Sequence, residues 1–344
     1  MEQIFKVDIN SRTPIYKQLL AVVENNIDSG VLHVGDCLPS MNEMSDMLNI
    51  SKETVKKVYS ILRERGLIES IHGKCFFVTQ RREDRKLRIF MLLDKLSQYR
   101  QIFYDAFLSG VGDYADITIY TYDQDINSFE EFVDHALDNF DYYVVTPHFS
   151  LDSVTQARAL KTLKRIPNRK LIMVDNWLRS LSGNYGAVYQ DMVNDIYEGL
   201  KPAIADMANY KKFHVVILPT SLYGSIIIGG IARLCEENNI NVEFHYDIND
   251  SMMHDGGLYL ILNGQLGLGL AELARTAKNQ DLVIGENIGL ISYNDSYLSD
   301  IILGGLTTVS TDFVQMGHLT AEMILNHDLR KVKCDFKLIR RKTF

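Results

Sequence analysis

The hydrophobic positions of this chain follow two different spacings. Between Leu38 and Val78, segments with apolar residues three and four positions apart are followed by two short apolar runs. From Ile89 onward, short uninterrupted apolar runs alternate with segments of helical spacing. The first pattern predicts two helices and a β-hairpin, and the second predicts strands of a buried parallel sheet that alternate with helices.

Two consecutive helices are predicted between residues 40 and 65. Ser40, followed three residues later by Glu43, has the sequence of a capping box and is expected to begin the first helix. Asn49 and Ser51 favour a tight turn, and Ser51 is expected to cap a second helix that ends before Gly66. The first turn of the second helix is polar and basic, which is typical of a DNA-recognition helix.

A hairpin and an earlier helix complete this unit. His72-Gly73-Lys74 joins the two apolar runs that follow the second helix, which predicts a hairpin with glycine at its turn. Upstream, Thr13-Pro14 is a typical helix start, and the apolar stripe that follows it ends near Gly30. This is the element order of a winged helix-turn-helix. A charged helix face is usually just solvated surface and does not by itself indicate DNA binding. The alternative is therefore a structural or protein-interaction module.

Residues 14–78 resemble the DNA-binding domain of the GntR (gluconate-repressor) family. The matching segments are Pro14–Leu19, Gly30, Gly35-Asp36, Leu38-Pro39-Ser40, Ser51–Val55, Leu62, Gly66-Leu67-Ile68 and His72-Gly73. The resemblance implies that the recognition helix and the wing turn contact DNA. With their polar neighbours, the candidate residues are Asn42, Ser51, Lys52, Glu53, Thr54, Lys56, Lys57, His72, Gly73 and Lys74. Relatives usually carry arginine at the positions of Asn42 and Lys52, so their operator sequences do not transfer to this chain.

Length and charge suggest how the chain is organised. With 344 residues it is expected to hold two or three domains. Residues 1–88 carry 14 basic and 12 acidic side chains, whereas residues 89–344 carry 22 and 32. The slightly basic part is the one expected to contact DNA, and the acidic part suits a small-molecule site better than a polyanion. Because residues 79–88 are mostly polar or charged, the expected domains are 1–78 and 89–344, joined by a linker at 79–88.

Several other classes of protein are not indicated. Four cysteines lie far apart, so neither a zinc ribbon nor a disulfide framework is expected, although one disulfide pair stays open. The histidines show no metal-ligand spacing, and neither a metal nor a cofactor is expected. No secretion signal or membrane-length apolar run is present, so the prediction is a cytoplasmic protein without a membrane partner. Common catalytic motifs are absent, and an enzyme that uses Asp94 and Asp175 as acid and base is the disfavoured alternative.

Seven apolar runs after residue 88 are strand candidates. They are Ile89–Leu93, Ile117–Tyr120, Tyr142–Val145, Leu171–Val174, Val215–Leu218, Leu258–Leu262 and Ile288–Ile291. Because helix-like segments lie between them, the sequence predicts an α/β architecture with two doubly wound lobes. A ligand is expected at the carboxyl ends of the strands, in the crevice between the lobes.

Residues 89 to about 330 resemble the effector domain of the lactose-repressor family, which shares its fold with periplasmic sugar-binding proteins. The match is most specific in the last third, at Leu262-Asn263, Gly285–Asp295, Leu306–Val309, Asp312, Met316-Gly317 and Ala321-Glu322. Val174-Asp175 and the helical segment 224–234 also match in place.

The second resemblance implies a set of ligand-binding residues at strand ends and adjacent loops. They are Asp94, Tyr99, Arg100, His148, Asp175, Asn176, Tyr223, Asn263, Asn294 and Asp295. Carboxylates, amides and an aromatic ring are the groups that a polyol requires. However, Gly264 and Ser225 stand where sugar-binding relatives carry aspartate and arginine, so only some of the usual sugar contacts are present. For each residue, a role as a strand-end cap or loop hydrogen-bond partner is the alternative.

Together the two resemblances imply a ligand-responsive transcription regulator. We expect a homodimer that binds double-stranded operator DNA and represses a carbohydrate-utilisation operon, with a sugar or sugar derivative as its effector. The fold implied is a winged helix-turn-helix followed by a two-lobed α/β domain of the periplasmic-binding-protein type. The alternative function is a solute receptor without a regulatory role at DNA.

Overall fold

The computed structural model describes residues 4–11, 13–71, 75–79, 86–217, 222–262 and 268–344. The chain divides into two compact units. The smaller contains residues up to 87 together with 113–116, and the larger contains residues 88–112 and 117–344. No helix in these described ranges is long and apolar enough to cross a membrane.

The described part of the smaller unit contains three helices and three short strands. They are α1 (Ile15–Asp28), β1 (Cys37–Leu38), α2 (Met41–Leu48), α3 (Lys52–Glu64), β2 (Ile68–Ile71) and β3 (Cys75–Val78). Strand β3 pairs antiparallel with both β1 and β2. Apolar residues of the helices and strands, among them Leu19, Val55 and Leu62, form one buried core. The predicted wing turn, His72-Gly73-Lys74, lies outside the described residues.

Local chemistry sets both ends of α2. The backbone N–H of Ser40 donates to a carboxylate oxygen of Glu43 at 2.8 Å, and the backbone N–H of Glu43 donates to Oγ of Ser40 at 3.2 Å. The predicted capping box is therefore confirmed. Asn49 ends α2 with φ of 51°, a left-handed conformation that asparagine adopts more readily than most residues. The chain therefore turns directly into α3.

The larger unit is built from parallel strands and helices. Its strands are β4 (Leu87–Leu93), β5 (Ala115–Thr121), β6 (Tyr142–Val145), β7 (Leu171–Asp175), β8 (Gly186–Tyr189), β9 (Lys212–Val216), β10 (Val242–His245), β11 (Gly257–Ile261), β12 (Gly289–Tyr293), β13 (Thr307–Thr311), β14 (Lys331–Lys333) and β15 (Phe336–Ile339). Its helices are α4 (Gln98–Val111), α5 (Ile126–Ala136), α6 (Ser153–Leu163), α7 (Met192–Leu200), α8 (Ile204–Met207), α9 (Gly224–Glu237), α10 (Leu268–Asn279) and α11 (Phe313–Leu325).

These strands form two sheets of six. The strand order is β14-β8-β7-β6-β4-β5 in the first sheet and β10-β9-β11-β12-β13-β15 in the second. In the first, β4, β6, β7, β8 and β14 pair in parallel, and in the second, β9 to β13 pair in parallel while β15 joins β13 antiparallel. Every residue of β6, β7, β11, β12 and β13 is buried, as expected for central strands of parallel sheets.

Helices α4 and α11 pack closely, and this contact places the first turn of α4. A Cβ atom at Gly317 of α11 would lie 2.6 Å from the carbonyl oxygen of Phe103 and 2.7 Å from the backbone nitrogen of Phe107. Glycine is therefore required at this position for α11 to lie against α4. At the start of α11, the ring of Phe313 stacks on Tyr99 of α4 with centroids 5.0 Å apart.

All seven predicted strands are present; β6 has the predicted ends, and the others are shifted at one or both ends. The largest shift is in β9, which begins at Lys212 rather than Val215, and the predicted last residue, Leu218, lies outside the described residues. Strands β8, β10, β13, β14 and β15 were not predicted. Strand β13 has the sequence Thr-Thr-Val-Ser-Thr, β10 and β14 alternate charged or polar residues with apolar ones, and a lysine interrupts β15 after its first residue. These strands lack the continuous apolar run on which the prediction depended.

Candidate functional site

The first turn of α3 forms a polar, exposed helix end. Oγ of Ser51 accepts a 3.2 Å hydrogen bond from the backbone N–H of Thr54 and lies 2.8 Å from its Oγ1, so Ser51 caps the helix as predicted. Lys52, Glu53 and Lys56 are exposed, and Nζ of Lys56 lies 4.0 Å from Glu53. Such a weak surface ion pair leaves the ammonium group available to another anion.

Buried contacts hold α3 against the rest of the smaller unit. The Tyr59 hydroxyl donates a 2.6 Å hydrogen bond to the carbonyl oxygen of Pro39, just before α2. Arg65, at the end of α3, forms a buried ion pair with Glu24 of α1. Lys57 differs from Lys56, because its Nζ lies 3.8 Å from the centre of the Tyr16 ring. Both lysines are exposed, but the ammonium group of Lys57 lies against Tyr16 of α1, whereas that of Lys56 lies near Glu53.

Asn42 completes the described part of the predicted DNA-binding face. It is exposed in the first turn of α2. The remaining candidates, His72, Gly73 and Lys74, lie outside the described residues.

In the larger unit, four charged side chains meet where strands of the first sheet end. Asp94 follows β4, Asp175 is the last residue of β7, His148 lies three residues after β6, and Arg100 belongs to the first turn of α4. We call these four residues the buried charged cluster. Their side chains are at most 9% exposed.

Both cations of the buried charged cluster bridge both carboxylates. Nε of Arg100 donates to Oδ1 of Asp94 at 2.9 Å, and its Nη2 donates to Oδ2 of Asp175 at 2.5 Å. Nδ1 of His148 lies 3.4 Å from Oδ2 of Asp94, and its Nε2 lies 2.9 Å from Oδ2 of Asp175. The two strand ends are therefore connected through charge-assisted contacts.

Mutual attraction keeps these groups ionised despite their burial. Burial alone disfavours the two carboxylates, but Arg100 and His148 outweigh it and hold the pKa of Asp94 and Asp175 well below the usual range. Burial likewise disfavours the imidazolium, but both carboxylates outweigh it and raise the pKa of His148 above 6.5. With two negative and two positive groups, the buried charged cluster carries little net charge.

Several buried side-chain atoms of the larger unit make no hydrogen bond with any residue that the structure describes. They are Nη1 of Arg100, Oε1 of Gln98, Oγ1 of Thr146, Nε1 of Trp177 and Oδ1 of Asn294. All belong to the first turn of α4 or follow the end of a strand. Buried polar groups are normally paired, so these atoms are groups that a bound water or ligand could satisfy.

The second sheet contacts the same region through Tyr223. Its ring lies 4.9 Å from that of His148, centroid to centroid, in an edge-on arrangement. Its hydroxyl oxygen accepts hydrogen bonds from the backbone N–H of Phe149 at 3.2 Å and from Nδ2 of Asn176 at 3.3 Å. Tyr223 immediately precedes α9, so this contact joins the start of that helix to loops of the first sheet.

Sequence reasoning missed a second connection, through Gln190. Its side-chain amide donates to Asp175, and its Oε1 accepts from the hydroxyls of Tyr293 at 3.3 Å and Thr311 at 3.1 Å. Gln190 directly follows β8. Recognition of the short run Gly186–Tyr189 as a strand would have pointed to it.

The structure brings most of the predicted ligand residues together. Tyr99 joins the buried charged cluster, because the guanidinium carbon of Arg100 lies 5.0 Å from the centre of its ring. Asp295 is engaged elsewhere: Arg341 donates to both of its carboxylate oxygens at 3.1 Å, and Thr308 donates to one at 3.0 Å. Asn294 follows β12, and Asn263 lies outside the described residues.

Comparisons with known proteins agree with this organisation. Residues 15–78 match the family described as bacterial regulatory proteins, gntR family. The chain is 29% identical over 108 residues to the HTH-type transcriptional repressor YtrA of Bacillus subtilis, covering 31% of this chain and 82% of YtrA. Other HTH-type regulators match over 66–77 residues, and this chain spans only 14–32% of their lengths.

Solved structures extend the comparison to the fold of the larger part. The lac repressor dimer bound to operator and the anti-inducer ONPF matches with a TM-score of 0.60 and 15% identity, covering 76% of this chain and 94% of that one. Transcription regulator CcpA of Lactococcus lactis matches with a TM-score of 0.57 and 15% identity, covering 75% and 99%. The predicted resemblance of the N-terminal part is confirmed, and for the larger part the similarity is confirmed at the level of the fold.

Proposed function

We propose that this protein, a transcription regulator with an N-terminal GntR-type winged helix-turn-helix and a larger domain of the lac repressor fold, is a repressor controlled by a neutral, hydroxyl-rich effector. The observation that carries the proposal is the buried charged cluster. It balances two carboxylates with two cations and leaves Nη1 of Arg100 without a partner among the described residues, at the carboxyl ends of parallel strands, the usual ligand position in doubly wound domains. A sugar or sugar derivative fits this chemistry.

The proposed DNA contacts belong to the exposed helix end at α3. Ser51, Lys52 and Lys56 would meet the major groove and its phosphates, as the first turn of a recognition helix does. We propose a homodimer that binds a two-fold symmetric operator, with half-sites separated by about one helical turn of DNA. Because it acts on chromosomal DNA, the cytoplasm is its proposed compartment.

The proposed switch couples the effector to the two sheets of the larger unit. Tyr223 and Gln190 both connect the second sheet to residues of the buried charged cluster or to loops beside them. An effector that inserts among these groups would change the contacts between the sheets. By favouring one arrangement of the two sheets, it would change the population of the DNA-binding state.

DNA binding is tested by selection of duplexes from a random pool with the full-length chain. The proposal expects enrichment of a palindromic sequence. The double variant Lys52→Ala, Lys56→Ala is expected to lose binding to the selected duplex, whereas Lys164→Ala, which removes an exposed charge from the end of α6, is expected to retain it. A pool without enrichment, or equal binding by both variants, would contradict the proposal.

Effector binding is tested through the single tryptophan. Trp177 lies next to Asn176, stacks on Tyr189 at 5.0 Å and has an unpaired buried Nε1, so a ligand at this site should change its fluorescence. The full-length chain is titrated with pentoses, hexoses and deoxysugars. At least one sugar is expected to change the emission of the wild type and of the control Asp134→Asn, but not of Asp175→Asn. Equal responses from both variants would place binding elsewhere.

A further inference from the structure

A cluster of imidazole and carboxylate groups lies at the edge of the second sheet, separate from the buried charged cluster. The register of β9 and β10 places Glu243 directly opposite His214. Because side chains alternate along a strand, His245 lies on the same face as Glu243. One ligand atom from each of His214, Glu243 and His245 can be chosen so that all three lie within 4.8 Å of one another.

We propose that His214, Glu243 and His245 bind a divalent transition-metal ion, with Zn²⁺ as the best-suited ion. Imidazole nitrogens and a carboxylate are ligands that zinc and its neighbours prefer, whereas Mg²⁺ and Ca²⁺ prefer oxygen alone. Glu243 lies on the edge strand and its side chain is 47% exposed, so an ion can enter from solvent. Water would complete the coordination.

A chain of hydrogen bonds presents the correct nitrogen of His214 to the ion. Nδ1 of His254 lies 3.1 Å from the carbonyl oxygen of Met252, so this nitrogen carries the proton and its Nε2 is an acceptor. Nε2 of His254 lies 3.4 Å from Nε2 of His214, which therefore acts as the donor. Nδ1 of His214 is therefore left unprotonated. It lies 2.8 Å from Nε2 of His245, with its lone pair toward that nitrogen. Outer hydrogen bonds of this kind orient histidine ligands at metal sites.

Packing fixes His214 in place. The imidazole is 1% exposed and stacks on Tyr259 of β11, with centroids 4.9 Å apart and planes 10° apart. The ring is therefore held in one orientation, with its Nδ1 toward His245.

The separation of the two ring nitrogens fits this role after a small adjustment. Zn–N bonds of about 2.0–2.1 Å with tetrahedral angles place two ligand nitrogens roughly 3.3 Å apart. The 2.8 Å separation of His214 and His245 is that of a shared proton, so the ion would replace the proton as the rings move apart. His245 is only partly buried on the edge strand, which permits that movement.

Lys212 supplies an independent check on the proposal. Its ammonium group forms an ion pair with Glu243, next to the proposed ion. Removal of this positive charge by Lys212→Met should strengthen binding of a cation, because it removes a competitor for the carboxylate and a repulsive charge. A cluster with only a structural role has no reason to gain metal affinity from this change.

The test is calorimetric titration of the metal-free full-length chain with zinc chloride, with cobalt chloride as a spectroscopic probe. We expect one ion per chain and visible absorption bands of tetrahedral Co²⁺. His245→Ala and Glu243→Gln, both on the edge strand, should each weaken binding by roughly tenfold or more. His135→Ala, which removes an exposed histidine from α5, should leave the affinity unchanged.

Two results would overturn the proposal. One is wild-type protein that takes up no stoichiometric Zn²⁺. The other is binding that persists with equal affinity in folded His245→Ala and Glu243→Gln proteins, because the ion would then lie elsewhere. Circular dichroism establishes that each variant is folded. The second readout is Lys212→Met, which leaves all proposed ligands intact and should increase the affinity for Zn²⁺.

Discussion

The hydroxyl of Tyr293 donates a 3.3 Å hydrogen bond to Oε1 of Gln190, whose amide in turn donates to Asp175. Tyr293 ends β12 of the second sheet, and Asp175 ends β7 of the first. A single side chain therefore links the second sheet to the buried charged cluster. A displacement of Asp175 would therefore alter a hydrogen bond of the side chain that connects the two sheets.

Replacement of Arg100 is expected to destabilise the larger unit strongly. Arg100→Met leaves Asp94 and Asp175 buried without their guanidinium partner, and such losses cost about 3–5 kcal/mol of unfolding free energy. The matched control is Arg158→Met, which breaks an ion pair with Glu130 whose side chains are 39% and 32% exposed and which should cost about 1 kcal/mol or less. Urea denaturation measures the unfolding free energy of both variants. Equal losses would contradict the claim that the buried ion pairs of Arg100 stabilise the larger unit.

Stability should fall as pH rises above neutrality because of His148. Its pKa is raised in the folded protein above its ordinary value of 6.5, so the folded state holds a proton that the unfolded state releases. The corresponding stabilisation is complete below pH 6.5 and is lost as pH rises through the raised value. Urea denaturation between pH 6 and 9 should show this loss in the wild type and in His135→Gln, but not in His148→Gln. If the unfolding free energy of His148→Gln still falls with rising pH as in the wild type, His148 is not the cause of the pH dependence.

Tyr59 is expected to stabilise the helix-turn-helix through one hydrogen bond. Tyr59→Phe removes the 2.6 Å bond to the carbonyl oxygen of Pro39 and leaves that acceptor unpaired, which costs about 1–3 kcal/mol. Tyr114→Phe, at a position 71% exposed in the same unit, is the control and should change little. The two variants are compared by thermal denaturation of the full-length chain, in which the midpoint temperature for unfolding of the smaller unit is measured. An unchanged transition in Tyr59→Phe would rule out this contribution.

Adjacent lysines in α3 should differ in their effect on DNA affinity. Both are exposed, but the ammonium group of Lys56 makes only a weak contact with Glu53, so Lys56→Ala should lower the slope of log affinity against log salt by about 1, as loss of one phosphate contact does. Lys57→Ala should lower it less, because the ammonium group of Lys57 lies over the Tyr16 ring. Fluorescence anisotropy of the selected duplex at several salt concentrations measures both slopes. The reverse order would show that Lys57 is the DNA contact.

Local signals in the sequence were sufficient to predict much of the structure. The capping box of Ser40 and Glu43 depends on residues three positions apart, and it formed as expected. The buried strands were predicted because continuous apolar runs such as Tyr142–Val145 leave few alternatives. Asp94 and Asp175 were implied by the resemblance to the lactose-repressor family, and the structure places them on either side of Arg100.

The contacts that sequence reasoning missed depend on strand register or on polar strands. Buried β13 consists of threonine, serine and one valine, so its sequence does not indicate a buried strand. It is a strand because it pairs with β12 on one side and β15 on the other. Gln190 acquires its role only because it follows β8 and reaches hydroxyls of the second sheet. His214 and Glu243 are distant in sequence, and only the pairing of β9 with β10 brings them together.

The most direct test of the proposed function measures the effector and the DNA in one experiment. Affinity for the selected duplex is determined by anisotropy with and without the sugar that changes Trp177 fluorescence. We predict that this sugar changes the affinity of the wild type by roughly fivefold or more, a typical allosteric coupling, and leaves that of Asp175→Asn unchanged. If the sugar binds the wild type but leaves its DNA affinity unchanged, the protein is not a repressor controlled through the buried charged cluster.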